Sequence, residues 1–114
     1  MRSRSADGER GSATAELAVA LPAVALVLAA CLGAVQLGAQ QVRLTDAAAD
    51  AARALARGES SGDAAAIANR VAGRADLSAV RDGRFLCVTL GADGGGVLAP
   101  FRLHAESCAV AGGA

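Results

Sequence analysis

The feature that most constrains this chain is a stretch of 26 residues, Leu17 to Val42, without a single charge, of which the first 19, Leu17 to Val35, are wholly apolar. A helix rising about 1.5 Å per residue needs about 20 such residues to cross a hydrocarbon core roughly 30 Å thick. The run is long enough to span a membrane. Its competitor, a buried helix of a water-soluble domain, would need a shell of large apolar partners. The chain has two Phe and no Trp or Tyr, while alanine fills 31 of its 114 positions and glycine 14. Few side chains are therefore large enough to anchor a globular enzyme core, and the length allows one small domain. Eleven Arg with no Lys balance 11 acidic residues to a net charge of zero, which excludes the basic footprint of a nucleic-acid binder.

Inside the run, Pro22 comes early enough for a membrane helix to tolerate it with a slight kink. Gly33, Ala34 and Gly38 would let a neighbouring helix approach closely. Upstream lies a short polar tail carrying Arg2, Arg4 and Arg10, which reads as a targeting segment. Arg43, Arg53 and Arg57 follow the run on its other side, so arginines alone leave the orientation open. Glu16 stands at the very edge of the apolar run, where an unpaired carboxylate costs about 2–3 kcal/mol. It calls for a partner.

The string Arg10-Gly11-Ser12-Ala13-Thr14-Ala15-Glu16 before the apolar helix resembles a type IV prepilin leader. Extended to RGSATAELAVALPAV and to the alanine-rich continuation ending AAADAARALARGE, it is similar to the TadE-like minor pseudopilins of tight-adherence pilus systems. The resemblance covers roughly residues 9–59, and its specific part is Gly11, the four small residues after it, Glu16, and the Leu21-Pro22 pair. It implies a cut after Gly11 by a prepilin peptidase and a new amino terminus at Ser12. Glu16, then the fifth residue, would serve recognition or register by pairing with the new amine of a neighbouring subunit. It further implies other pilin or pseudopilin subunits as partners through the N-terminal helix, and a location in the bacterial cytoplasmic membrane with the C-terminal head outside it. Ser12 stands where major type IV pilins usually carry a methylated phenylalanine, and Leu17 where the family's small major pilin typically has tyrosine; both departures point to a minor component. The expected organisation is a leader at 1–11, a transmembrane and continuing helix at 12–57, and a small head at 58–114.

Two alternatives stay open. Leu28-Ala29-Ala30-Cys31 matches a lipobox, which would make Cys31 the acylated first residue of an anchored binding module. The residues after Cys31 continue the helix, however, where a lipidated cysteine is expected to lead into a polar linker. The other alternative is an uncleaved single-pass membrane component.

Beyond the run, Arg43, Asp46, Asp50, Arg53 and Arg57 recur at helical spacing and form one polar stripe, opposite a face of Leu44, Ala47, Ala48, Ala51 and Leu55. This face is too small to fold alone and is expected to pack on the C-terminal region or on other subunits. The helix should stop at Gly58, and Asp63 should cap a second helix reaching about Gly73 with Ile67 and Val71 inward. A period of two then predicts strands at 77–80 and 84–90 around Asp82-Gly83, and a third at about 101–108 with Phe101, Leu103 and Ala105 inward. The fold class is α+β, with the second helix covering a three-stranded antiparallel sheet.

Cys87 and Cys108 are a possible disulfide. A tight 91–97 hairpin would set Cys87 opposite Arg102 and leave the thiols roughly 20 Å apart, whereas a looser connection through Gly94 to Pro100 would bring them together. His104 lacks partners at metal-ligand spacing, so no metal is expected. The glycine-rich stretch 91–96 has neither a following Lys nor a following helix, which reads as a flexible turn and not a phosphate cradle. Asp46 and Asp50 are matched by their arginine neighbours, and no nucleophile, base and orienter assemble. The sequence therefore predicts a protein that is no enzyme and needs no cofactor, but is itself a peptidase's substrate.

Overall fold

A computed structural model describes residues 2–111, with side chains from residue 10 onward. Its elements are a long helix α1 (Arg2–Ala56), a short helix α2 (Ser61–Ala72) and three strands, β1 (Asp76–Asp82), β2 (Phe85–Asp93) and β3 (Arg102–Val110). This is the expected α+β class. Contacts divide the chain into two units, residues 1–34 and 35–114.

In the first unit α1 runs through Pro22 unbroken, and its large apolar side chains lie open: Val19 is 75% and Leu26 72% exposed. A surface of this kind is stable only against lipid or protein.

In the second unit, α1 turns its alanine face to the sheet. Leu44, Ala47, Ala48 and Ala51 are fully buried as expected, joined by Ala52 and Ala54, with Leu55 partly buried against them. Opposite stand Val88, Leu90 and Ala92 of β2 and Ala105 of β3. The main cover of the sheet is thus α1, which supplies more buried residues than α2. Leu44, Val88 and Leu90 are the only larger side chains among the described residues to be fully buried. On the opposite face, Arg53 pairs with Asp50 at 3.1 Å, and Arg57 reaches past the helix end to Glu59 at 2.9 Å. Pairs this exposed add little stability.

The helix ends where the glycine predicts. Gly58 takes φ 92°, its N–H donates to the Leu55 carbonyl at 3.0 Å, and the Glu59 N–H donates to the Ala54 carbonyl at 3.1 Å. These two reversed bonds form a Schellman motif, which needs a residue free to adopt a left-handed backbone. The cap of α2 differs from expectation. Ser60, not Asp63, is the N-cap, its hydroxyl accepting from the Asp63 N–H at 3.1 Å. The inner face of the helix is Ala64, Ala68 and Ala72, whereas Ile67 is only partly buried and Val71 is exposed.

The sheet is an antiparallel meander in the order β1-β2-β3. Asp82 pairs with Phe85, so the turn centres on Gly83-Arg84, one residue later than the sequence suggests. Gly83 has φ 59° and Arg84 is not left-handed, the pattern of a type II′ hairpin with glycine first. Between β2 and β3 the looser register holds: Leu90 faces Ala105, and Cys87 faces Cys108. Phe101 falls before β3 and is exposed, correcting its expected inward place; Leu103 and Ala105 do point inward.

The connection between β2 and β3 is a hydrogen-bonded loop. The Gly94 N–H donates to the Phe101 carbonyl at 2.9 Å, the Gly95 N–H to Asp93 Oδ1 at 3.0 Å, and the Phe101 N–H to the Leu98 carbonyl at 3.0 Å. A short 3-10 turn, Gly96–Leu98, sits within it. Gly94 is required by crowding, since a methyl there would overlap the Leu98 carbonyl and stand 2.9 Å from Leu37 Cδ2 of α1.

Candidate functional site

The residues singled out in the sequence lie in two places. The first is the beginning of the apolar helix. Gly11, Ser12 and Glu16 are exposed on α1, and the Thr14 hydroxyl donates to the Arg10 carbonyl at 2.9 Å, bracketing Gly11 within one turn. This turn lies outside the wholly apolar stretch. Glu16 makes no ion pair among the described residues. Beside it Ala15, Val19, Ala20 and Ala23 form a shallow apolar strip of small side chains. A carboxylate set at the head of such a strip can take a cationic partner while the strip takes a helix. Cys31 is a free, exposed thiol, and α1 continues unbroken beyond it.

The second place is the outer face of the sheet, in the unit that begins at Val35. Cys87 and Cys108 form a disulfide across β2 and β3. Glu106 lies close enough that its carboxylate and the two sulfurs fall within 4.8 Å of one another, but both sulfurs are committed to each other and leave no thiolate pair for a metal. Farther along this face, Arg102 reaches across Gly91 towards Asp76 at 3.6 Å. A methyl at Gly91 would meet this guanidinium at 3.1 Å and His104 Nδ1 at 3.4 Å, so the glycine makes room for both side chains. His104 is exposed.

Two residues that sequence reasoning passed over tie this unit together. Gln40 Nε2 donates to the Ala72 carbonyl at the end of α2, and Gln41 Nε2 to the His104 carbonyl of β3, both at 2.8 Å. The Cα atoms of Cys87 and Cys108 are 4.0 Å apart, the close spacing of a pair that shares no ladder hydrogen bonds. His104 has the same parity, so its carbonyl points to the open side of β3, and Gln41 covers it. A helix that blunts a sheet edge in this way removes a template for unwanted strand pairing. The signal in the sequence was a pair of amides closing an otherwise apolar run.

Fold and site together describe a chain with an N-terminal apolar helix suited to membrane anchoring and a small disulfide-bearing α+β unit. Residues 11–53 match the model of the family described as TadE-like protein, within a few residues of the stretch that carried the resemblance. Over this segment the chain is similar to TadE-like proteins. A Mycobacterium tuberculosis protein named Apoptosis inhibitor Rv3655c is 43% identical over 76 residues, covering 66% of this chain and 60% of that protein. The matched stretch is thus less than two thirds of the relative's length. No solved structure matches the chain.

Proposed function

We propose that this chain is a non-catalytic minor pseudopilin, cut after Gly11 by a prepilin peptidase and assembled through its N-terminal helix with other pilin-like subunits of a tight-adherence pilus or a related secretion apparatus. The observation that carries the proposal is the match to the TadE-like family beginning at Gly11, on a helix whose large apolar side chains from Leu17 to Val35 are uncovered. Before assembly that surface faces lipid. After extraction it faces neighbouring helices, where small residues permit close approach. Glu16, fifth after the cut, pairs with the Ser12 amine of another subunit and fixes the axial register, because a carboxylate in a poorly hydrated setting is stable only when matched. In this organisation residues 1–11 are the leader, 12–57 the helix and 58–114 the head. The head lies outside the cytoplasmic membrane, a location supported by the disulfide, which persists where thiols are oxidised.

The test is the intact mass and N-terminal sequence of the protein from its native membrane, with and without the prepilin peptidase. A chain starting at Ser12 only when the peptidase is present is the expected result. A chain starting at an acylated Cys31 would replace the proposal with a lipid-anchored module. Full-length chain in both samples would leave an uncleaved single-pass component.

A further inference from the structure

The loop between β2 and β3 presents an apolar tip with nothing over it. Val97 is 95% exposed, the highest value for any large apolar side chain among the described residues, and Phe101 is 54% exposed. The loop does not hide them, because its own hydrogen bonds and the Asp93 carboxylate on the Gly95 N–H hold it in one shape. Its position is informative. Gly94 is packed against Leu37 of α1. Leu37 lies two residues beyond the wholly apolar run and six before the first charge, Arg43, among Gln36, Gln40 and Gln41. That is the composition of a helix leaving hydrocarbon for headgroups.

The charges around the loop fit the same depth. A cavity of about 140 Å³ beside it is lined by Arg74, Asp76, Asp93 and Arg102. Asp93 is engaged by the Gly95 N–H and Asp76 by Arg102, while Arg74 makes no ion pair among the described residues. We propose that the loop of residues 94–101 is a second membrane contact, with Val97 and Phe101 entering the headgroup–acyl boundary of a phospholipid bilayer beside α1 and Arg74 and Arg102 at the level of the lipid phosphates. Apolar and aromatic side chains flanked by arginine are what such a boundary accepts. Lipid is favoured over a protein partner because the loop packs on Leu37, which in sequence lies only two residues past the wholly apolar run. The inference rests on the membrane-anchored reading and deepens it: the head would be held against the bilayer until the subunit is extracted.

The chain has no Trp or Tyr, so one introduced tryptophan is the sole strong fluorophore. Full-length Val97→Trp, Phe101→Trp, Leu26→Trp and Val80→Trp variants are placed in phosphatidylcholine–phosphatidylglycerol vesicles with or without brominated acyl chains. Retention of a single alkylatable cysteine confirms that each head is folded. Tryptophan at 97 or 101 is expected to shift to shorter wavelength and to lose about half its emission or more to brominated lipid, as a side chain at the acyl boundary does. Leu26→Trp should be quenched as well, and Val80→Trp, on the outer face of β1, should not. Quenching at 26 but at neither 97 nor 101 overturns the loop contact and leaves the anchor intact. A blue shift at 97 without quenching also overturns it, since the tip is then covered by protein. Absence of quenching at 26 removes the membrane reading and the inference with it.

Discussion

Breaking the Cys87–Cys108 bond should cost the head most of its stability. The two cysteines are 21 residues apart in sequence. Closing a loop of that length removes about 11 cal/mol/K of entropy from the unfolded chain, or about 3.3 kcal/mol at 25 °C. The core that must bear the loss is small, with only Leu44, Val88 and Leu90 as fully buried larger side chains among the described residues. A Cys87→Ala/Cys108→Ala double variant avoids stray thiols, and amide hydrogen exchange of β2 and β3 in the full chain reads the result without isolating the head. A shift of 3.3 kcal/mol raises the open fraction about 250-fold, and exchange through global opening should accelerate by the same factor. The untreated chain should also take up a single alkyl group, at Cys31, and three after reduction. An acceleration under about tenfold would refute the reasoning, because the strands would then be held by packing alone and the cross-link would not limit opening.

Other outcomes follow from single contacts. Gly94→Ala should destabilise the head by about 1–3 kcal/mol through its overlap with Leu98 and Leu37, measured by the same exchange experiment. Leu44→Ala should cost about 2–5 kcal/mol, since the surrounding alanines cannot reach into the space left behind. Ser60→Ala should remove the cap of α2 and about 1 kcal/mol, seen as faster exchange confined to Ser61–Ala72 and its neighbours. Glu16→Ala should leave head exchange unchanged and block recovery of the subunit with its assembly partners; normal incorporation would remove the role given to this carboxylate.

The parts of the fold legible in the sequence were those fixed by short-range periodicity. The inner face of α1 from Leu44 to Leu55 follows from helical spacing, and its end at Gly58 from the backbone freedom that a Schellman motif demands. Alternation likewise placed Leu103 and Ala105 on the inner side of β3. What spacing could not decide was the pairing of β3. Two loop shapes gave two registers, and the one formed goes with a loop closed by the Gly94 N–H on the Phe101 carbonyl and packed on Leu37, a residue far away in sequence. Ser60 and Asp63 are both residue types that cap helices, and the cap that forms is the Ser60 hydroxyl on the Asp63 N–H. Gln41 shows why part of the site was missed. Its role depends on where the open side of β3 falls, which exists only after the sheet is formed.

The alanine lining has a thermal consequence. Unfolding raises the heat capacity in proportion to the apolar area newly wetted, and a lining built from Ala47, Ala48, Ala51, Ala64 and Ala68 wets little area per residue. The curve of stability against temperature is correspondingly shallow, with its cold and hot limits set far apart. A cross-link that acts through chain entropy adds to this curve without steepening it. The head therefore keeps nearly the same margin of stability across a wide range of temperatures, although that margin is small at every one of them.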